Sequence, residues 1–142
     1  MNVKDVMTAS VVAVGAGESA ALAARLLSRR NVGALPVCGD RGRLVGMVTD
    51  RDIAVRCVAA DRDPRATAVG EIMTRRVVSV EPETDARAAA QLMRAEQVRR
   101  LPVTSRGKVV GMVSLADLAG QPACAADAAA CLTGISDSIR RT

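Results

Sequence analysis

Gly46-Met47-Val48-Thr49-Asp50-Arg51-Asp52-Ile53 returns as Gly111-Met112-Val113-Ser114-Leu115-Ala116-Asp117-Leu118. Six of the eight positions agree in kind: Gly-Met-Val, a hydroxyl residue, then Asp and an aliphatic. The agreement extends upstream. Val32-Gly33-Ala34-Leu35-Pro36-Val37 is echoed by Val98-Arg99-Arg100-Leu101-Pro102-Val103, and Asp5-Val6-Met7-Thr8 by Glu71-Ile72-Met73-Thr74. The offset is 66 residues for these two features and 65 for the Gly-Met-Val block. The residue lost falls in a turn, where a deletion costs least. A chain with such a period is read as a repeat before anything else.

The repeated block carries a chemistry. Leu44–Val48 and Val109–Val113 are β-branched and aliphatic runs, hence strands. Thr49 and Ser114 stand where each strand ends, and both are good helix N-caps. Asp52 and Asp117 then fall in a helix's first turn. A hydroxyl, free backbone N–H groups and a helix N-terminus suit a phosphate or another anion. An Asp three residues on does not favour phosphate, but accepts hydrogen bonds from a ribose diol. The competing reading is capping alone, since an Asp in a first turn is stabilising with no ligand.

Composition excludes several classes. The 142 residues are 49% hydrophobic yet contain no Phe, Tyr or Trp, so the core must be Val, Leu, Ile, Met and Ala. Single-stranded nucleic-acid modules stack bases on aromatic side chains, and none exist here. There is no His, which removes the usual general base near neutral pH and the commonest metal ligand. A Ser-His-Asp or Cys-His enzyme is excluded within one chain. The net charge of +5 comes almost wholly from Arg, dispersed as pairs at 29–30, 75–76, 99–100 and 140–141. No run of five basic residues occurs, so the charge reads as solubility plus local anion sites. Cys38, Cys57, Cys124 and Cys131 have no C-x-x-C spacing, which argues for free, mostly buried thiols and no metal site. With no signal peptide and no membrane-spanning apolar run, a reducing cytoplasm is the expected location.

Along the chain, a lead-in over 1–8 precedes a short strand at Val11–Val14 and a helix over Ser19–Arg30. The helix shows an apolar stripe of Ala20, Ala23, Leu26 and Leu27. A strand at Leu35–Cys38, a turn at 39–42, the strand from Leu44 and a helix from about Asp50 to Ala60 complete the first repeat. The second repeats the order: a strand at Val77–Val80, a helix capped by Thr84 with a stripe of Ala86, Ala89, Leu92 and Met93, strands at Leu101–Thr104 and Val109–Val113 around Arg106-Gly107, and a helix from Leu115. The predicted class is α/β (α+β): repeats over 1–63 and 64–120, each strand-helix-strand-strand-helix. Neither is long enough to bury a good core alone, so they are expected to pack face to face with pseudo-twofold symmetry. Residues 121–142 form a helical tail in which Pro122 starts a helix and Gly134 breaks it. Cys124 and Cys131, seven apart, share a helix face predicted to meet a partner surface.

These motifs together resemble the cystathionine-β-synthase (CBS) domain, and two in tandem resemble a CBS pair, or Bateman module. The resemblance covers roughly residues 1–119. The run Gly33–Asp40 through Asp50–Ile53 is similar to small stand-alone actinobacterial CBS-pair proteins. It implies a regulatory module that binds an adenosine-containing ligand (AMP, ADP, ATP or S-adenosylmethionine) in clefts between the repeats, with no cofactor required. Carried over by motif, one cleft would use Ser114 and Asp117 behind Met112, with Thr8, the strand holding Val12 and Ala13, and Gly33-Ala34 before Pro36. The other would use Thr49 and Asp52 behind Met47, with Thr74, Val78 and Arg99-Arg100 before Pro102. Hydroxyls would meet phosphate, Asp the ribose, and aliphatics the adenine. Leu115-Ala116 stand where Asp50-Arg51 stand in the copy, so the two sites should differ.

Three readings compete. The first is a cytoplasmic sensor of an adenosine-type ligand that acts through a homodimer or a protein partner still to be identified. Second is a docking module whose clefts hold no ligand. Third is weak, electrostatic nucleic-acid binding without sequence specificity. No nucleophile–base pair supports an enzyme, and nothing supports a membrane partner.

Overall fold

The computed structural model describes residues 1–141, with side chains to residue 135. Two compact units form, and neither is one contiguous stretch. The N unit comprises residues 12–77 with 107–109; the C unit comprises 1–11, 78–106 and the chain from 110 onward.

In the N unit, strand β1 (Val14–Gly15) runs parallel to β2 (Ala34–Cys38), which pairs antiparallel with β3 (Leu44–Thr49). Helix α1 (Ala20–Arg30) begins where Ser19 Oγ accepts the Leu22 N–H at 3.1 Å. It ends at Asn31, which takes the left-handed conformation (φ 52°). There the Val32 N–H reaches back to the Leu27 carbonyl, a bond that satisfies a helix-end acceptor. Ala20, Ala23 and Leu27 of the predicted stripe are buried with Val14, Leu35, Val37, Val48 and Cys57, and Leu26 packs at their margin.

The helix after β3 departs from expectation. One α-turn, α2 (Asp50–Asp52), passes into a wide π-turn over Ile53–Val58, with the Ala59 N–H bonded to the Ala54 carbonyl five residues back. Cys57 points inward, while Val55 and Val58 are 50% and 60% exposed. A short helix α3 (Val69–Ile72) closes the unit, with Val69 and Ile72 buried.

The C unit repeats this plan. Helix α4 (Ala86–Glu96) buries Ala86, Ala89 and Met93, together with Ala90. Its cap is Asp85, not the predicted Thr84, whose hydroxyl instead accepts the Glu81 N–H in the preceding turn. Its end is again left-handed, at Gln97 (φ 54°), 66 residues after Asn31. Strands β4 (Arg100–Ser105) and β5 (Lys108–Ser114) form the second sheet. They meet at Arg106 (φ 54°) and Gly107 (φ 80°), the paired positive angles a tight two-residue hairpin needs. Helix α5 (Leu115–Ala119) follows, then a 3-10 turn at Pro122–Cys124 and helix α6 (Ala125–Arg141).

The β-branched stretches at Val11–Val14 and Val77–Val80 were expected to be strands. The first pairs only through Val14 and Gly15, and the second only at Val80, which bridges Val103. Helix α6 runs through Gly134, which does not break it. Cys124, Ala128 and Cys131 are buried in the core of their own unit, so the two cysteines do not face a partner. The helix packs on α4, where Asp127 stands 3.4 Å from Arg94 and 3.8 Å from Arg87. The Arg140-Arg141 pair lies outside the described side chains.

The Met-Thr and Gly-Met-Val motifs are two parts of one feature. Thr8 and Met112 exchange backbone hydrogen bonds of 2.8 and 2.9 Å, and Thr74 and Met47 do the same. Each unit thus takes its Met-Thr segment from the sequence preceding the other repeat's strands. The close approach explains the glycines. A Cβ on Gly111 would lie 2.7 Å from Met7 Sδ and 3.0 Å from the Thr8 carbonyl; on Gly46, 2.7 Å from Met73 Sδ and 2.8 Å from the Thr74 carbonyl. The same lead-ins carry a second exchange: the Ala86 N–H bonds the Met1 carbonyl, and the Ala20 N–H the Thr67 carbonyl.

Candidate functional site

Each repeated block ends in a reciprocal cap. In the C unit, Ser114 Oγ accepts the Asp117 N–H at 3.1 Å, and Asp117 Oδ2 accepts the Ser114 N–H at 2.9 Å. In the N unit, Thr49 Oγ1 and Asp52 Oδ2 make the same pair of bonds, both at 3.0 Å. The spacing of hydroxyl and carboxylate is that of a capping box, in which two otherwise unpaired N–H groups are satisfied at once. The capping reading of these residues is therefore correct as a description of structure. What decides whether a ligand can be held as well is the second carboxylate oxygen.

On that oxygen the repeats diverge. Asp52 is buried, at 7% exposure, and the Thr74 hydroxyl donates to its carboxylate, 3.3 Å from each oxygen. Arg56, one turn on, stands 3.9 Å from Oδ1. Its guanidinium also donates to the carbonyls of Met73 and Ile72, at 3.0 and 3.3 Å. Asp52 thus ties the π-turn to the Met-Thr segment. Asp117 is half-buried. Thr8, the counterpart of Thr74, makes no such bond to it, and Gln121 stands where Arg56 stands in the copy. Among the described residues, Asp117 Oδ1 has no hydrogen-bond donor. The blocks differ through Thr74 and Arg56, not through the Asp50-Arg51 and Leu115-Ala116 positions singled out in the sequence, and Asp117 is left as the carboxylate with a free acceptor.

Basic residues flank this same block. The Arg99 carbonyl accepts the Leu115 N–H at 2.7 Å, so β4 begins against the first residue of α5. Arg99 and Arg100 line one groove of about 490 Å³ with Ser114, Leu115, Ala116, Ala119 and the α6 residues Ala125, Ala128, Ala129 and Leu132. Neither arginine pairs with a carboxylate among the described residues. In the N unit the matching contact is the Asp50 N–H on the Gly33 carbonyl at 3.1 Å, and Gly33-Ala34 bring no charge there.

The C unit therefore holds Thr8, Val78, Arg99, Arg100, Pro102, Met112, Ser114 and Asp117; the N unit holds Val12, Ala13, Gly33, Ala34, Pro36, Met47, Thr49, Asp52 and Thr74. The structure brings together Ser114, Asp117, Arg99 and Arg100 in one unit, and Thr49, Asp52 and Thr74 in the other. Pro36 and Pro102 are buried within their strands. Sequence reasoning missed Arg56, although its position four residues after Asp52 is the spacing of a helical ion pair. It also missed the α6 residues of the groove, for which the second block offers no counterpart.

All four cysteines are free. Burial pushes the thiols of Cys38, Cys124 and Cys131 above their ordinary range, with Asp85 and Asp127 raising Cys124 further. Among the described residues, no three His, Cys, Asp or Glu side chains cluster so as to hold a metal ion. No helix of the described residues is long and apolar enough to cross a membrane.

Comparison with known proteins bears on the chain as a whole. The CBS domain family model matches residues 3–58 and 69–122. CBS domain-containing protein YhcV of Bacillus subtilis is 43% identical over 135 residues, covering 95% of both chains. Hypoxic response protein 1 of Mycobacterium tuberculosis is 40% identical over 116 residues, 82% of this chain and 81% of that one. The crystal structure of Hypoxic Response Protein I, with two coordinated zinc ions, superposes with a TM-score of 0.79 at 38% identity, covering 85% of this chain and 98% of that one. The CBS domain pair of protein MJ0100, crystallised with 5′-methylthioadenosine and S-adenosyl-L-methionine, superposes with a TM-score of 0.74 at 28% identity, covering 84% and 98%. No enzymatic family is indicated. The twice-repeated Met-Thr, Leu-Pro-Val and Gly-Met-Val-(Thr/Ser)-x-x-Asp signature and its fold place this chain in the CBS domain family, as a tandem pair of a regulatory type.

Proposed function

We propose that the chain is a sensor that binds an adenosine-containing ligand (AMP, ADP, ATP or S-adenosylmethionine) at the Ser114–Asp117 block, with the Thr49–Asp52 block as a weaker second site. The observation that carries this reading is the free Oδ1 of Asp117 in the block whose Ser114 lines a groove with two arginines that have no carboxylate partner among the described residues. The carboxylate accepts hydrogen bonds from the ribose hydroxyls, the arginines offset phosphate charge, and Ser114 Oγ keeps acceptor and donor capacity beyond its capping bond. The complex of MJ0100 with two adenosine compounds supports the ligand class. Asp52, already engaged by Thr74, has to surrender that bond to hold a ribose.

On this account the chain is cytoplasmic, catalyses nothing, requires no cofactor and has no sequence-specific nucleic-acid partner. Its output passes through assembly: Val55 and Val58 project from the π-turn as exposed apolar side chains, the surface a homodimer or protein partner would cover. The hexameric CBS-CP12 protein from bloom-forming cyanobacteria, similar in structure with a TM-score of 0.72, supports an assembling role. Calorimetric titration of the wild-type chain with AMP, ADP, ATP and S-adenosylmethionine tests the proposal. Saturable binding of at least one is expected. Failure of all four at millimolar concentration overturns the sensing function and leaves assembly through the apolar face as the function.

A further inference from the structure

The groove between α5 and α6 has a composition that a nucleotide site does not need. Among the described residues it is lined by Leu115, Leu132, Ser114 and alanines; the charged residues there are Arg99 and Arg100 alone, and no described carboxylate lines it. At about 490 Å³ it falls within the range of small-molecule sites, which are mostly apolar with a few placed polar groups. Four of its ten lining residues come from α6, which lies beyond the part of the chain that the family model matches. Leu132 remains 52% exposed on that helix, although Ala128 and Cys131 beside it are buried. Asp127 is turned away to Arg87 and Arg94, so it neutralises neither groove arginine.

We infer that this groove binds an amphipathic anion: an unbranched alkyl chain lying along the alanines and Leu132, with its carboxylate or phosphate head on Arg99 and Arg100. Charge complementarity selects the head, and the alanine lining selects the tail. Small side chains along the groove leave room for a row of methylenes. The site shares Arg99, Arg100 and Ser114 with the nucleotide site proposed above but does not use Asp117, so the two readings separate by mutation.

The test is calorimetric titration with octanoate and decanoate, held below their micelle concentrations, and with decyltrimethylammonium as the cation of matching tail. Decanoate should bind about tenfold or more tightly than octanoate, since each buried methylene contributes about fourfold. Decyltrimethylammonium should bind at least tenfold more weakly than decanoate. Ala129→Leu, which fills the channel at an exposed position, should weaken decanoate at least tenfold in a protein that remains folded. Asp117→Asn should leave decanoate affinity unchanged. Decyl phosphate in place of decanoate distinguishes a phosphate head from a carboxylate. Absence of decanoate binding at millimolar concentration, equal binding of the cation, or full affinity in a folded Ala129→Leu protein each overturns the inference. Loss of AMP binding alone overturns only the nucleotide reading.

Discussion

Replacing Gly46 by Ala tests the fold where the sequence repeat is most informative. The new methyl would stand 2.7 Å from Met73 Sδ, 3.2 Å from Met73 Cγ and 2.8 Å from the Thr74 carbonyl. The thioether is flexible, but Met73 is 5% exposed and has little room to retreat. The carbonyl is fixed by the two hydrogen bonds between Thr74 and Met47, of 2.8 and 2.9 Å. Overpacking at such a site costs typically 1–3 kcal/mol. Stretching two backbone bonds forfeits part of about 0.5–1.5 kcal/mol each. Lower entropy of the unfolded Ala chain returns about 0.4–1 kcal/mol. The net loss is about 2 kcal/mol. Gly111→Ala should lose slightly less, because its carbonyl neighbour is 3.0 Å away. Gly17 is the control, since a Cβ there meets nothing within 4 Å, so Gly17→Ala should be neutral or stabilising. With no aromatic residue for fluorescence, far-UV circular dichroism in urea is the assay. At about 2 kcal/mol per M, the midpoint of Gly46→Ala should fall by about 1 M with an unchanged slope. A Gly46→Ala midpoint equal to that of Gly17→Ala would refute the close approach of the Met-Thr segment to the Gly-Met-Val strand.

Other consequences follow from particular contacts. Asp52→Asn should cost about 1–3 kcal/mol, because a buried carboxylate serving Thr49, Thr74 and Arg56 loses its charge, whereas Asp117→Asn should cost under about 1 kcal/mol; thermal melts of both check the order. Asp127→Asn should change stability by about 0–1 kcal/mol, since Arg87 and Arg94 are well exposed, and high salt should erase the difference. The raised thiols of Cys124 and Cys131 make the protonated form the native one. Their contribution is intact below the ordinary thiol range and is lost as pH rises through the raised native values, so urea midpoints should fall on the alkaline side. In the native state both thiols should react with iodoacetamide more slowly than an unfolded control, read by mass spectrometry.

Much of this was legible in the sequence because it rests on local signals. Helices α1 and α4 are where the apolar stripes place them, and β2–β5 match to within a residue or two, since period and β-branching are properties of short windows. The capping boxes follow from Thr49-x-x-Asp52 and Ser114-x-x-Asp117 alone. What was not legible depends on distant partners. Val11–Val14 and Val77–Val80 have strand chemistry, but whether a strand forms depends on how many partners lie alongside. The grouping of Thr8 with Met112, and of Thr74 with Met47, comes from the family resemblance carried over by motif; the repeat period alone does not give it. Gly134 stays helical because Ala128 and Cys131 anchor α6 to α4, which outweighs the roughly 1 kcal/mol propensity cost of a helical glycine. The unequal surroundings of Asp52 and Asp117 arise from Thr74 and Arg56; the Arg56-to-Gln121 difference is visible in the repeat, but Thr74 and Thr8 are the same residue type and only their contacts differ.

That inequality is also the sharpest handle on function. The affinity of the wild type, Asp117→Asn and Asp52→Asn for AMP and S-adenosylmethionine, measured by calorimetry on proteins shown to be folded, tests the sensing account most directly. A ribose held by the free oxygen of Asp117 depends on charged hydrogen bonds worth about 1.5–3 kcal/mol each. Asp117→Asn should then weaken binding by about ten- to a hundredfold, at about 1.4 kcal/mol per factor of ten. Asp52→Asn should lower stability more and that affinity less. Unchanged nucleotide affinity in Asp117→Asn, with a stability loss as the only effect of either substitution, would contradict the account and leave both aspartates as helix caps.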